Sequence, residues 1–303
     1  MPELVAAVDC GTNSVRLLVC RAHADGRLDE VDRRLYLTRL GQGVDASGAF
    51  APDALARTMD AMADFGAELD SLGVGKRRVV ATSAARDAAN SEEFFAGVRL
   101  RLGVEAEIIS GEQEALLSFT GATAALPDLV PPVLVMDIGG GSTELILGSE
   151  GRLEHAVSLD IGSVRVRERF LHSDPPVAGE VAEAAAYIDE LLDGCGIDFS
   201  APTTWVGVGG TVTSLSALVQ GLAVYDRAAV HRSRLGRDEL FAFAADLLAM
   251  PVARVNEFPT MVPGRADVIC AGALVCERVG RRVAGDLIVS EADILDGMVA
   301  GLL

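Results

Sequence analysis

The sequence predicts an α/β protein built from two related domains that face each other across a cleft. The main observation is a glycine-rich turn that occurs twice, at residues 8–17 and 136–145, and aligns between the copies without a gap. Each turn follows an apolar segment typical of a strand and precedes a second one, which ends in a hairpin signal at 25–28 or 150–153. A length of 303 residues leaves room for two cores.

The second turn has the sequence MDIGGGSTEL. Three consecutive glycines remove every Cβ from it, so its backbone N–H groups can close on an anion. Its hydroxyls suit phosphate, and its carboxylates suit a divalent cation that bridges phosphates. The residues concerned are Asp137, Gly139, Gly140, Gly141, Ser142, Thr143 and Glu144. The turn therefore predicts a site for a metal-bound phosphate chain.

The first turn, VDCGTNSVRL, repeats this arrangement. Asp9 aligns with Asp137, and Ser14 aligns with Ser142. Chance similarity between two glycine turns is the less favoured alternative, although such turns are common in α/β proteins. Duplication places two phosphate-binding turns on opposite sides of one cleft.

The other elements are predicted from periodicity and from turn and cap signals. Apolar residues spaced by three and four after Pro52, ending at Gly73, indicate an amphipathic helix. Strands are predicted at residues 4–8, 15–21, 31–40, 78–82, 104–109, 131–135, 204–208 and 287–290. Helices are predicted at residues 52–72, 91–102, 110–125, 163–170, 177–192, 237–250, 264–273 and 291–302.

Two charged residues outside the turns are candidates for the site. Arg86 follows the strand at 78–82, and ligands of α/β sheets bind outside the carboxyl ends of strands. The partner of Arg86 would be either an anion in the cleft or an acidic residue in a surface ion pair. Glu114 lies in the first turn of a helix that opens with a capping box, Ser110 and Gln113. Acids there usually complement the helix dipole, and the alternative is a base that projects into the cleft.

A third glycine turn, GVGGTVT at residues 207–213, opens another helix. Close packing of helix on sheet would explain Gly209 and Gly210. Beside two phosphate turns, these glycines are also candidates for contact with a nucleotide or another anion.

Composition excludes several classes of function. A net charge of −18 argues against binding DNA or RNA, because a duplex binder needs a basic face. No apolar run is long enough to span a bilayer, and no signal peptide precedes the first strand. The five cysteines form no C-x-x-C pair. We therefore expect a cytoplasmic protein with reduced cysteines and no membrane association.

The motifs together resemble the superfamily of actin, sugar kinases and heat-shock ATPases. Within it, DCGTNS at 9–14, SGEQEA at 110–115, the second turn and PGRAD at 263–267 are similar to the exopolyphosphatase and guanosine pentaphosphate phosphohydrolase family. The resemblance runs end to end. It implies two ribonuclease-H-like domains, at residues 1–127 and 128–303, with a last helix (291–303) that packs back on the first domain.

The same resemblance implies hydrolysis of the terminal phosphoanhydride bond of inorganic polyphosphate, with Mg²⁺ or Mn²⁺ and release of orthophosphate. Glu114 would activate water, mainly by orienting it, since a glutamate of ordinary pKa is a weak base. Glu144 would be the second catalytic acid. The implied metal residues are Asp9, Asp137 and Glu144. The implied phosphate-binding residues are Asn13, Ser14, Arg16, Arg86, Gly139, Gly140, Gly141, Ser142, Gly209, Gly210 and Arg265.

Several alternatives remain open on sequence alone. They are a guanosine pentaphosphate 5′-phosphohydrolase, a small-molecule kinase, and a non-catalytic sensor of polyphosphate or alarmone. Guanosine penta- or tetraphosphate, or another nucleotide, would then be a ligand or an inhibitor. Long family members carry additional C-terminal helical domains, so we expect this chain to prefer short polyphosphate. The resemblance also leads us to expect a homodimer.

Overall fold

A computed structural model describes residues 3–149 and 152–303 of the chain. The first half contains β1 (Glu3–Cys10), β2 (Val15–Ala22), β3 (Leu28–Tyr36), α1 (Val44–Ser47), α2 (Pro52–Ser71), β4 (Lys76–Ala81), α3 (Ser83–Asp87), α4 (Ser91–Leu102), β5 (Ala106–Ile108) and α5 (Gly111–Ala124). The predicted hairpin at 150–151 lies outside the described residues.

The second half contains β6 (Val133–Ile138), β7 (Thr143–Ser149), β8 (Arg152–Leu159), α6 (Ser163–Phe170), α7 (Ala178–Gly194), β9 (Thr204–Val208), α8 (Gly209–Val219), α9 (Arg227–Val230), β10 (Arg234–Leu235), α10 (Arg237–Ala249), α11 (Val252–Val255), α12 (Ile269–Gly280), β11 (Leu287–Val289) and α13 (Ile294–Ala300). None of the helices in these described parts is long and apolar enough to cross a membrane.

The two sheets share one topology. The first has the order β3-β2-β1-β4-β5, and the second has the order β8-β7-β6-β9-β11 with β10 added at its edge. In the first sheet β1, β2 and β3 pair antiparallel, and β4 and β5 are added in parallel beside β1. In the second sheet β6, β7 and β8 pair antiparallel, and β9 and β11 are added in parallel beside β6. The register also repeats, because Asp9 faces Arg16 in the first sheet as Asp137 faces Glu144 in the second. This repeat places both glycine turns at equivalent strand ends.

Two helices each pack on the sheet that the other half of the chain forms. α5 packs its apolar face, including Ala115 and Phe119, on the second sheet. α13 packs Leu295 and Met298 on β1 and β2 of the first sheet. The two helices also pack on each other so closely that a Cβ at Gly121 would overlap the backbone of Asp293. The helices α5 and α13 therefore form a shared layer between the two sheets.

Some element boundaries differ from the predicted ones. The third strand runs from Leu28 to Tyr36 instead of 31–40, because the chain leaves the sheet to support the first glycine turn. There, Arg39 N–H donates to the Asn13 carbonyl at 2.9 Å, and Gly41 N–H donates to the Thr12 carbonyl at 2.8 Å.

Near the end of the chain, the helix predicted at 264–273 starts later, at Ile269, and continues to Gly280. Gly264 has φ +86°, in the left-handed region that an α-helix cannot use. The helix predicted at 291–302 is Ile294–Ala300, and short elements such as α3 and β10 had no sequence signal.

Ion pairs join the two halves beside the cleft. Arg165 on α6 bonds Asp45 and Asp87 of the first half, and Arg169 also bonds Asp45. Arg165 is only 8% exposed, whereas the side chain of its partner Asp87 is 40% exposed. These ion pairs hold the two glycine turns against each other.

Candidate active site

The carboxyl ends of β1, β4, β6 and β9 meet at a cleft that opens to solvent. Predicted site residues from both halves line it. They are Asp9, Asn13, Ser14, Arg16, Glu114, Asp137, Gly139, Gly140, Gly141, Ser142, Gly209, Gly210 and Arg265. Of the predicted set, Glu144 and Arg86 are not among the described residues that line the cleft.

The two glycine turns have the same internal geometry. Gly11 N–H donates to the Ser14 carbonyl at 3.0 Å, and Gly139 N–H donates to the Ser142 carbonyl at 3.0 Å. The turns also press on each other, because a Cβ at Gly140 would lie 3.0 Å from the Thr12 Cβ. Glycine therefore allows the close approach of the two turns.

Arg16 is held between two acids of different halves. Its Nε and Nη2 donate to Asp9 Oδ2 at 3.0 and 2.6 Å, and its Nη1 donates to Asp293. Burial acts to lower the pKa of Arg16, but the charges of Asp293, Asp9 and Asp137 outweigh it and raise the pKa. Arg16 therefore remains charged, with much of its charge already compensated.

Arg265 is the better-placed cation for an anionic ligand. It is 8% exposed, and its Nη1 donates to the Gly210 carbonyl at 3.1 Å and to Ser214 Oγ at 2.6 Å. Among the ion pairs of residues 3–149 and 152–303, none joins Arg265 to a carboxylate. Burial consequently lowers its pKa. A buried guanidinium of this kind is stabilised by an incoming phosphate.

Glu114 has the environment of a base. It lies in the first turn of α5, where Ser110 and Gln113 form the predicted capping box. Arg86 Nη1 donates to Glu114 Oε2 at 3.0 Å and to the Ile109 carbonyl at 2.9 Å. Burial raises the pKa of Glu114 to about 7, opposed by Arg86 and reinforced by Asp9 and Asp137. Because this pKa is near neutral, Glu114 can accept a proton and need not act by orientation alone.

The two acids of the second turn are held by serines. Ser118 Oγ donates to Asp137 Oδ2 at 2.6 Å, and Ser158 Oγ donates to Glu144 Oε1 at 2.6 Å. Burial, and next the charge of Asp293, raises the pKa of Asp137 to about 6. Burial also raises the pKa of Glu144, with the charges of Glu114 and Asp137 adding to it. The site therefore concentrates negative charge that a cation would neutralise.

The residues present fit a divalent cation. Asp9 Oδ1 and Asn13 Oδ1 are buried acceptors without a hydrogen-bond donor among the described residues. Within those residues, no group of three or more acidic, His or Cys side chains forms a complete metal cage. Mg²⁺ commonly binds one or two carboxylates and takes its remaining ligands from phosphate and water. Asp9 and Asp137 are suited to hold such an ion together with a phosphate substrate.

Sequence reasoning missed three polar residues of this site. Asp293 lies 277 positions from Arg16 in the chain and contacts it only through the fold. Its sequence signal is local, since Asp293 and Asp296 form the capping box of α13. Ser118 follows Glu114 by four residues and so shares its helix face, a signal that was available. Ser158 lies directly opposite Glu144 in the β7–β8 hairpin, so the predicted hairpin was a signal for this contact.

The duplicated sheets, the facing glycine turns and the acid-lined cleft define a protein of the actin-like ATPase fold class, as the sequence predicts. The chain belongs to the Ppx/GppA phosphatase family, whose model matches residues 19–302.

Its relatives include exopolyphosphatase 2 of Mycobacterium tuberculosis, with 45% identity over 98% of both chains. The guanosine-5′-triphosphate,3′-diphosphate pyrophosphatase of Vibrio cholerae is 34% identical over 72% of this chain and 44% of its own. The crystal structure of an exopolyphosphatase-like protein superposes with a TM-score of 0.95 at 41% identity, covering 99% of this chain and 97% of the other.

Proposed function

We propose that the protein is an exopolyphosphatase that hydrolyses the terminal phosphoanhydride bond of inorganic polyphosphate. The observation that carries the proposal is Glu114, a buried glutamate with a pKa of about 7 in a cleft with two phosphate turns. Family membership and the full-length similarity to exopolyphosphatase 2 of Mycobacterium tuberculosis support this substrate class.

In the proposed reaction, a water oxygen attacks the terminal phosphorus while the bond from that phosphorus to the bridging oxygen breaks. Glu114 accepts the proton of the attacking water, and the products are orthophosphate and a chain shorter by one phosphate. Backbone N–H groups of Gly140 and Gly141 and the Arg265 guanidinium bind phosphate oxygens. A divalent cation, when bound by Asp9 and Asp137, neutralises charge on the transferring group.

The proposal includes a preference for short chains. Only Arg16 and Arg265 contribute arginine side chains to the described wall of the cleft. Outside it, a protein of net charge −18 repels a long polyanion. A chain of a few phosphates avoids most of this repulsion.

We expect orthophosphate release from tripolyphosphate with Mg²⁺ at a higher kcat/KM, per chain end, than from long polyphosphate, guanosine pentaphosphate or ATP. The assay measures phosphate from each substrate at equal concentrations of chain ends. A kcat/KM that rises steadily with chain length contradicts the short-chain preference. Binding of all four substrates without release would indicate a sensor, and phosphorylation of an added acceptor by ATP would indicate a kinase.

A second candidate, hydrolysis of guanosine pentaphosphate, is favoured by a neighbouring cavity. This cavity shares Arg16 and Arg265 with the cleft, and Leu35, Val262 and Tyr225 add apolar surface. Such a surface suits a nucleoside, either of a substrate or of a nucleotide inhibitor. A higher kcat/KM for guanosine pentaphosphate than for tripolyphosphate would make this the function.

The pH dependence of kcat/KM should depend on the contact between Arg86 and Glu114. The carboxylate is the active form of Glu114, so kcat/KM should rise as the pH increases through about 7. Replacing Arg86 by glutamine removes a charge that lowers this pKa, so the rise should move to higher pH. We expect kcat/KM to fall roughly tenfold at pH 6 and to change little at pH 9.

Arg78→Gln is the matched control, because Arg78 pairs with Glu107 on the surface, at 3.1 Å, away from the cleft. Its profile should follow the wild type. An equal loss at every pH in Arg86→Gln would instead show that Arg86 binds phosphate directly, as the sequence resemblance implies.

The proposal also includes a homodimer, as the family resemblance implies. Light scattering of the purified protein, with and without tripolyphosphate, measures the mass of the assembly. A monomer mass at micromolar protein concentration under both conditions would count against the dimer.

A further inference from the structure

Helix α5 carries two polar side chains that reach acids on different strands of the site. Glu114 and Ser118 are four residues apart and therefore lie on one face of the helix, one turn from each other. Glu114 lines the cleft, and Ser118, which has no exposed surface, donates to Asp137 Oδ2 at 2.6 Å. One helix thus holds the proposed base and contacts a proposed metal ligand.

The hydroxyl of Ser118 behaves differently from the other hydroxyls of this helix. Thr120 and Thr123 each donate to the carbonyl four residues earlier, at 2.7 Å. Serine and threonine within helices commonly bond in this way. Ser118 donates to Asp137 on β6 instead. Its hydroxyl is therefore committed to the site and not to the helix backbone.

The contact leaves one defined oxygen of Asp137 for another ligand. Oδ2 accepts the Ser118 hydroxyl, and Oδ1 lies beside Gly209, where a Cβ would approach it to 2.6 Å. Gly209 has φ +84° and lines the cleft, so glycine keeps the space next to Oδ1 open. The Ser118 hydroxyl therefore holds Oδ2, and Oδ1 faces the space that Gly209 leaves open.

We propose that Ser118 is a positioning residue for the phosphohydrolase reaction, which orients Asp137 toward the divalent cation and fixes its placement relative to Glu114. This inference rests on the proposed function. Groups that hydrogen-bond a metal ligand typically change metal affinity or activity by 10- to 100-fold when they are removed. A side chain that only packed in the core would not change either.

The test compares the full-length Ser118→Ala variant with the wild type. Binding of Mn²⁺ is measured from the free-ion signal in electron paramagnetic resonance, and phosphate release from tripolyphosphate is measured with Mg²⁺. We expect the Kd for Mn²⁺ to increase about tenfold and kcat to fall about tenfold. At saturating metal, KM for tripolyphosphate should change less than about threefold, because the substrate contacts remain.

Two further variants complete the test. Thr120→Ala removes a hydroxyl of the same helix that bonds only the backbone, and it should leave Mn²⁺ binding and kcat within about twofold of the wild type. Ser118→Thr retains the donor and should restore most of the Mn²⁺ affinity that Ser118→Ala loses. Thermal unfolding of every variant separates loss of the fold from loss of the contact.

The outcomes distinguish this inference from the proposed function. Unchanged Mn²⁺ binding and kcat in Ser118→Ala, with only a lower melting temperature, would overturn the inference. A wild-type protein that binds no Mn²⁺ at millimolar concentration would also overturn it, because no cation would then lie at Asp137. Weaker Mn²⁺ binding in Ser118→Ala, with no phosphate release from any substrate by the wild type, would support the orientation of Asp137 by Ser118 toward a cation, while the proposed function and the role of Ser118 in that reaction fail.

Discussion

Replacement of Glu114 by glutamine is expected to lower kcat for orthophosphate release by about 10³-fold, within the usual range for loss of a general base. Glutamine has nearly the same shape and can still accept a hydrogen bond from Arg86, but it cannot take the proton of the attacking water. Because the change acts at the chemical step, KM for tripolyphosphate should remain within about threefold of the wild type. Steady-state phosphate release measures both constants.

The matched control for this variant is Glu112→Gln. Glu112 lies in the same helical turn, is exposed and does not line the cleft in the described structure. Its kcat should equal that of the wild type. If Glu114→Gln retains a tenth or more of the wild-type kcat, Glu114 is not the base, and Glu144 is the next acid to test.

The stability of Glu114→Gln provides an independent check on the environment of this residue. The pKa of Glu114 is raised from 4.5 to about 7 in the folded protein, mainly by burial. The folded state therefore favours the protonated form of Glu114. This contribution to the free energy of unfolding is complete below pH 4.5 and is lost as the pH rises through about 7. Without metal, the variant should gain melting temperature relative to the wild type at pH 8, and this gain should disappear near pH 4.5.

Replacement of Gly121 by alanine is expected to have the largest effect on stability, about 3 kcal/mol or more. A Cβ at this position would overlap the carbonyl oxygen of Asp293 and lie 2.9 Å from the amide nitrogen of Gly297. Backbone atoms cannot rotate away as a side chain can, so α13 must move off α5. The free energy of unfolding in urea measures this loss.

The control is Gly179→Ala on α7, where a Cβ would have no neighbour within 4 Å. That change should stabilise the protein by about 0.5 kcal/mol, because alanine restricts the unfolded chain more than glycine does. Gly121→Ala should also reduce activity, since Asp293 at the start of α13 bonds Arg16. A variant with wild-type stability would show that α13 is not fixed on α5.

Short-range patterns explain why much of the site was predictable. The glycine turns, the capping box at Ser110 and the strands around them are encoded within about ten residues each, and the structure places them at one cleft. The repeated register follows from the same duplication. We propose that the boundary between the domains lies at residues 127 and 128, with α5 and α13 as the layer between the sheets.

Long-range contacts explain what the sequence could not predict. The pairing of Arg16 with Asp293 depends on the packed fold, and no local spacing indicates it. The raised pKa of Glu114 depends on burial, which brings Asp9 and Asp137 near it. The sequence therefore indicated which residues form the site but not the charge that each one carries there.

The placement of α13 has a consequence for how the protein is made. A ribosome produces the first sheet early in synthesis, yet the helix that covers the face formed by Val5, Ala7 and Leu18 emerges almost 280 residues later. Until then this apolar face lacks its native cover, and Arg16 lacks Asp293. The native packing of this face is therefore completed only after α13 has been synthesised. A product that terminates before residue 293 would be an inactive target for chaperones and proteases.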